Sequence, residues 1–369
     1  MSHWYDIIDI HKIDSPSLVL FQNRLDHNLH KMLEMVGKQA DKLMPHVKTN
    51  KMPKVIAKCI SLGIKNFKAS TISEAEIAAR AGAESVLIAH QLVGPKIERF
   101  CNLINHFPDT HFFTIVDNKL SAIQLNESAL KHDLEIGIFV DINNGMNRSG
   151  IEPNKNIFKL IDEVNLFKNL YFKGLHVYDG HFRDTHFMTR KNKVEHAFSD
   201  INEIFKSLKL SNPNLQLVCG GTPSFTSNLT EPNRICSPGT CVFWDYGYDE
   251  KLKEQAFKFA VLVVTRVISK PAKGIVTIDL GHKAVASENP IDKRVMFLNL
   301  ENYQLISQSE EHGILSVDDD SKIEIGDVLF GVPYHICPTI NLYDEVSVIS
   351  QGKKIDTWEI TARKRKLTI

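Results

Sequence analysis

Lys48 follows the short apolar run Leu43-Met44-Pro45-His46-Val47, and Met52-Pro53 then opens a stretch of helical spacing. An amine at the carboxyl end of a buried strand is costly to desolvate. Burial there lowers its pKa and suits it to Schiff-base chemistry with a carbonyl. A solvated loop lysine is the plain alternative.

Two glycine turns bear on that choice. One is Cys219-Gly220-Gly221-Thr222-Pro223-Ser224, at the end of an apolar segment; the other is Ser237-Pro238-Gly239-Thr240. The paired glycines Gly220 and Gly221 let backbone N–H groups approach a phosphate closely, and Thr222 adds a hydroxyl. Alone, each reads equally as a tight turn. Opposite a strand-end lysine, together they point to pyridoxal phosphate.

Three further places carry candidate chemistry. Arg148 lies in the polar run Asn143 to Gly150, where a fixed cation can polarise a ligand oxygen; a surface arginine is the alternative. In Gly174-Leu175-His176-Val177-Tyr178, strand alternation puts Gly174, His176 and Tyr178 on one face. If that face is the lumen of a barrel, Tyr178 can pack on a flat aromatic cofactor; otherwise it is a core tyrosine. In His335-Ile336-Cys337, residues two apart on a strand point the same way and can grip one ion. Imidazole with thiolate favours zinc over magnesium or calcium, and manganese is kept as the other candidate ion. The alternative is a buried cysteine beside a hydrogen-bonded histidine.

These residues need a frame. Apolar strand segments are expected at 43–49, 64–70, 85–90, 111–117, 135–142, 171–178, 215–221 and 236–243, with helical stretches between most of them. Ser73 and Glu76 have the spacing of a capping box. Eight such units predict an α/β fold, a closed (β/α)8 TIM-type barrel over residues 15–248. An open doubly wound sheet is the runner-up. From 249 the pattern changes to short strands broken by Gly, Asp, Asn and Pro, so 249–369, joined by 1–14, is expected as a mainly β domain.

Forty-four basic and 44 acidic side chains cancel, which leaves no net field to draw nucleic acid or an anionic membrane. The six cysteines are scattered without a close CxxC pair, as in reduced intracellular proteins. Residues 1–14 carry charges and no signal-length apolar core. A soluble cytoplasmic protein is the expectation.

With these segments assembled, the chain resembles the fold-type III pyridoxal phosphate enzymes, the alanine racemase-like barrels. Within them it is similar to the D-threonine aldolase and D-serine dehydratase group. The resemblance rests on Pro-His-Val-Lys-Thr at 45–49, Ser-Glu-Ala-Glu at 73–76, Gly-Met-Asn-Arg-Ser-Gly at 145–150, Gly-Leu-His-Val-Tyr-Asp-Gly-His at 174–181, Gly-Gly-Thr-Pro at 220–223, Pro-Gly-Thr at 238–240 and His-Ile-Cys-Pro-Thr at 335–339. It implies that Lys48 holds the cofactor covalently and Arg148 contacts its phenolic oxygen. Tyr178 then packs on its ring, while Gly221, Thr222, Gly239 and Thr240 cradle its phosphate. His335 and Cys337 match the family's metal pair. His312, His181 and Asp179 are further candidates near metal or substrate. A homodimer acting on a small-molecule D-amino acid is implied as well.

One departure bears on the reaction. Alanine racemases carry an arginine where this chain has Ser237, so the racemase reading loses support. The expectation is a pyridoxal phosphate- and divalent-metal-dependent lyase for β-hydroxy-D-amino acids, resembling D-threonine aldolase. D-serine dehydratase is the alternative, because that group carries His-x-Cys where the aldolases tend to show His-x-Asp. A racemase or a non-catalytic pyridoxal phosphate carrier has less support.

Overall fold

The structure, a computed structural model, describes residues 3–369; Met1 and Ser2, part of the expected 1–14 segment, lie outside the described residues. The chain divides into two compact units. One takes residues 32–239 with Lys364–Ile369, and the other takes the described residues up to Lys31 with Thr240–Arg363.

The first unit is built on seven parallel strands in sequence order: Asn66–Ala69, Ser85–Ile88, His111–Val116, Ile136–Ile142, Leu170–Val177, Gln216–Cys219 and Arg234–Cys236. Residues 43–47 complete the circuit. Leu43 bridges Cys236 on one side and His46 bridges Lys68 on the other, both in the parallel sense. The expected first strand is thus reduced to two bridges, since Pro45 has no N–H to give a regular ladder. Likewise the last strand ends at Cys236 instead of running to 243, because Pro238 cannot continue it and Thr240–Val242 forms a 3-10 turn. The architecture is the TIM-type barrel that the strand spacing predicts.

Met44, Leu87, Phe113, Ile115, Phe139 and Val218 pack into one buried cluster, with the Phe113 and Phe139 rings edge to face at 5.8 Å. Burying a side chain such as Phe139 contributes about 2–3 kcal/mol. Helices cover the outside, and their starts are set by side chains. Asn118 accepts from Ser121 N–H at the head of Lys119–Lys131. Thr71 accepts from Glu74 N–H at the head of Ile72–Arg80. The cap is therefore Thr71 and not Ser73, which is buried. Glu74 instead accepts from Ser70 N–H at 2.6 Å and from the Lys51 ammonium at 2.6 Å.

The second unit is mainly β. Its central strand, Ser17–Phe21, lies between Val261–Ala272, antiparallel, and Glu345–Ser350, parallel. The spacing reading counts this segment with the barrel. Its run Leu18 to Phe21 is buried throughout, as in a strand covered on both faces, and such a run does not announce which sheet it joins. Tyr5, Ile7 and Ile13 pack with Val19, Phe21 and Leu262 in this unit's core. The strand Gly313–Val317, which the sequence pattern does not mark, pairs with Ile275–Ile278 and Tyr303–Gln308. No helix among the described residues is long and apolar enough to cross a membrane.

Candidate active site

A cavity of about 330 Å³ opens in the barrel unit, lined among others by Lys48, Lys68, Arg148, His176 and Tyr178. Lys48 sits just past the 43–47 segment and is half-buried. Its Nζ lies 5.6 Å from the centre of the Tyr178 ring, and the Arg148 guanidinium lies 4.6 Å from the same ring. Cations at this range are attracted to the ring face. The arginine is placed by a loop that Asn143 builds: its side-chain oxygen accepts from Gly145 N–H at 3.2 Å and Asn147 N–H at 3.0 Å.

His176 and Tyr178 both reach the cavity, as alternation along their segment requires. His176 Nδ1–H donates to Asp141 Oδ1 at 2.7 Å. Asp141 Oδ2 accepts from Gln91 at 2.8 Å and Ser149 at 2.9 Å. Burial works to raise the Asp141 carboxyl, but the His176 hydrogen bond, with those two donors, holds it below its usual range. Burial lowers His176 despite Asp141, so the imidazole is neutral with its Nε2 lone pair free; that buried nitrogen has no partner.

The glycine turns come together beside this group. Gly239 N–H donates to Thr222 Oγ1 at 3.2 Å, and Gly221 N–H to Ser224 Oγ at 3.3 Å. A Cβ on Gly221 would lie 3.1 Å from the Tyr178 ring, and one on Gly239 would lie 3.0 Å from the His46 carbonyl oxygen. Only glycine leaves that space to a ligand. Asp179 is buried behind the turn, accepting from Ser224 and, at 3.0 Å, from Asn228. The His181 ring lies against Phe182 at a tilt of 39°, and His312 is exposed. Thr240 opens the other unit, where its hydroxyl lies 3.5 Å from Cys337 Sγ.

These residues fit pyridoxal phosphate. The cavity offers an amine, a guanidinium, an aromatic face and glycine turns that a side chain would fill, plus the unpartnered His176 Nε2. The Ser237 hydroxyl, buried at the end of the last barrel strand, also has no partner.

The expected metal pair is brought together differently from the strand reading. His335 caps the short helix Ile336–Ile340 and Cys337 lies in its first turn. A helical turn, not strand alternation, places them. Glu288 accepts from His335 Nδ1–H at 2.5 Å, an arrangement that leaves Nε2 for an ion. Among the described residues no group of three or more His, Cys, Asp or Glu converges to hold a metal, so the pair fits part of a coordination sphere.

Lys68, Asp141 and Gln91 are site residues that motif reasoning passes over. Lys68 is 2 % exposed, its Nζ donating to Gly220 O at 3.4 Å. Burial, then the neighbouring Lys48, lowers its pKa to about 7. The available signal was a charge within a barrel strand, Lys68 in the short Asn66–Ala69 and Asp141 near the end of the otherwise apolar Ile136–Ile142.

The comparisons with known proteins agree with this geometry. A family model described as the alanine racemase N-terminal domain matches residues 22–246, and one described as a putative serine dehydratase domain matches 260–349. A 3-hydroxy-D-aspartate aldolase of Paracoccus denitrificans is 28% identical over 97% of this chain and 96% of its own length. A D-threonine aldolase of an Arthrobacter species is 26% identical over 95% and 93%. The crystal structure of a D-threonine aldolase from Filomicrobium marinum superposes with a TM-score of 0.87 at 26% identity, covering 95% of this chain and 96% of that one. With the model covering well over half of the sequence and the site built as above, the chain belongs to the alanine racemase N-terminal domain family of fold-type III pyridoxal phosphate enzymes.

Proposed function

We propose that this protein is a lyase that cleaves β-hydroxy-D-amino acids in the manner of a D-threonine aldolase, giving glycine and an aldehyde. The observation that carries this is the convergence of Lys48, Arg148 and Tyr178 in one cavity beside paired glycine turns. Pyridoxal phosphate, when bound, supplies an electron sink for the bond broken at Cα. Lys48 would provide the amine for its covalent attachment and, in the dehydratase reading, the base that takes the Cα proton. Tyr178 supports the ring face and Arg148 the phenolic oxygen. Gly221, Thr222, Gly239 and Thr240 take the phosphate. His176, held by Asp141, presents a fixed acceptor at Nε2.

His335 and Cys337 would hold a divalent ion, with Glu288 fixing the imidazole; zinc suits this donor set, and manganese is the other candidate. Such an ion would supply Lewis acidity at the β-hydroxyl. The thiol at 337 supports a second reading, D-serine dehydratase, as does the match of the serine dehydratase domain model to 260–349. A homodimer, on the resemblance alone, and a cytoplasmic location, on the scattered cysteines and the charged opening segment, extend the proposal.

Substrate profiling with and without chelator tests it. Acetaldehyde with glycine from D-threonine supports the aldolase, and pyruvate with ammonia from D-serine supports the dehydratase. Racemisation of alanine in chelated protein would overturn both.

A further inference from the structure

We propose that Lys68 is a second functional amine of this cavity, donating hydrogen bonds to an anionic oxygen of the molecule bound there. This rests on the reading of the cavity as a pyridoxal phosphate site.

The position is unusual for a lysine. It stands third in the barrel strand Asn66–Ala69, 2 % exposed, among the residues that line the cavity. An ammonium has three donors. Here it finds one weak acceptor, Gly220 O at 3.4 Å, and the Tyr178 ring at 5.7 Å.

The two carboxylates nearest in charge do not hydrogen-bond it. Asp141 is taken by His176, Gln91 and Ser149, and Asp179 by Ser224 and Asn228. A buried amine with spare donors is costly unless a ligand uses them. Lys48 and Arg148 share the same cavity, so the field favours an anion. Two oxygens of that chemistry can come into the site, one from the cofactor and one from the carboxylate of the amino acid.

Proton linkage follows from the surroundings. Burial and then Lys48 lower the Lys68 pKa to about 7, while Cys219, Asp179 and Asp141 act in the opposite direction; His46 and His176, both held neutral, add no positive charge. A bound anion favours the ammonium, so binding takes up a proton. Affinity should therefore strengthen as pH falls toward about 7 and level off below it.

The test compares wild type with Lys68→Met and Lys68→Arg in the full-length protein. Borohydride trapping comes first: a wild type without a pyridoxyl adduct on Lys48 sinks the cofactor reading itself, separately from any result on Lys68. With that adduct found, pyridoxal phosphate is re-added to protein resolved with hydroxylamine and its affinity is measured across pH by absorbance. Spectral titrations of the holoenzyme with D-threonine and with 3-hydroxy-D-aspartate follow.

We expect Lys68→Met to lose about tenfold or more in one of these affinities, together with its pH dependence. The arginine variant should keep the affinity without the pH dependence. A loss confined to pyridoxal phosphate assigns the cofactor oxygen; a loss confined to the amino acids assigns the substrate carboxylate. If both affinities and their pH profiles stay within about twofold in a Lys68→Met protein of native circular dichroism, the proposal is overturned.

Discussion

Two lysines share one cavity in different circumstances, and their chemistry should divide accordingly. Lys48 is half-buried past the end of its segment, while Lys68 is enclosed in the middle of a strand. Borohydride followed by peptide mapping should place the pyridoxyl group on Lys48 alone, and Lys48→Ala should lose at least about 10²-fold in turnover. The first lysine is legible in the sequence because an apolar run stops at it. The second is not, since a charge inside Asn-Phe-Lys-Ala reads as an exposed edge until the barrel is seen to close around it. Asp141 is hidden for the same reason. Its folded pKa lies below the ordinary 3.8, so its stabilisation is present above 3.8 and is lost as pH falls through the folded value. Asp141→Asn should thus be about 1–3 kcal/mol less stable than wild type at neutral pH, with the gap closing below 3.8 in urea titrations.

At the scale of elements, the loop after Ile136–Ile142 shows how backbone sets a side chain. Gly150 has φ +98°, and a Cβ there would lie 2.5 Å from the Asn143 nitrogen. Asn143 is also the residue that ties down the turn carrying Arg148. Gly150→Ala should cost more than about 1 kcal/mol by urea unfolding and also weaken retention of pyridoxal phosphate on dialysis. A stable variant with full retention would show that the loop does not place Arg148. The alternation of strand and helix, and with it the barrel, is legible because short continuous apolar runs give way to helical spacing at each turn. Details that depend on partners are not. Ser17–Phe21 joins the other sheet through ladders to residues more than two hundred positions away. The cap at Thr71 is displaced from the Ser73 expectation because Glu74, not Glu76, faces Ser70 and Lys51.

At the scale of the whole chain, the groups that suit the cofactor, Thr240 excepted, and those that suit an ion come from separate compact units. Lys48, Arg148, Tyr178 and the turn at Gly221 belong to the barrel, whereas His335, Cys337 and Glu288 belong to the β unit. If each unit folds around its own core, damage to one set need not disturb the other. His335→Ala removes an imidazole from a short, partly exposed helix and leaves the barrel cluster untouched. It should therefore keep the pyridoxyl adduct on Lys48 and the cofactor's absorbance, while reducing lyase turnover to the level that chelator leaves in wild type. Cys337→Ser should fall between the two, since a hydroxyl is a poorer partner for zinc than a thiolate. Equal chelator sensitivity in wild type and His335→Ala would place the ion elsewhere. A variant that lost the cofactor as well would mean that the two functions cannot be separated along the chain's own division.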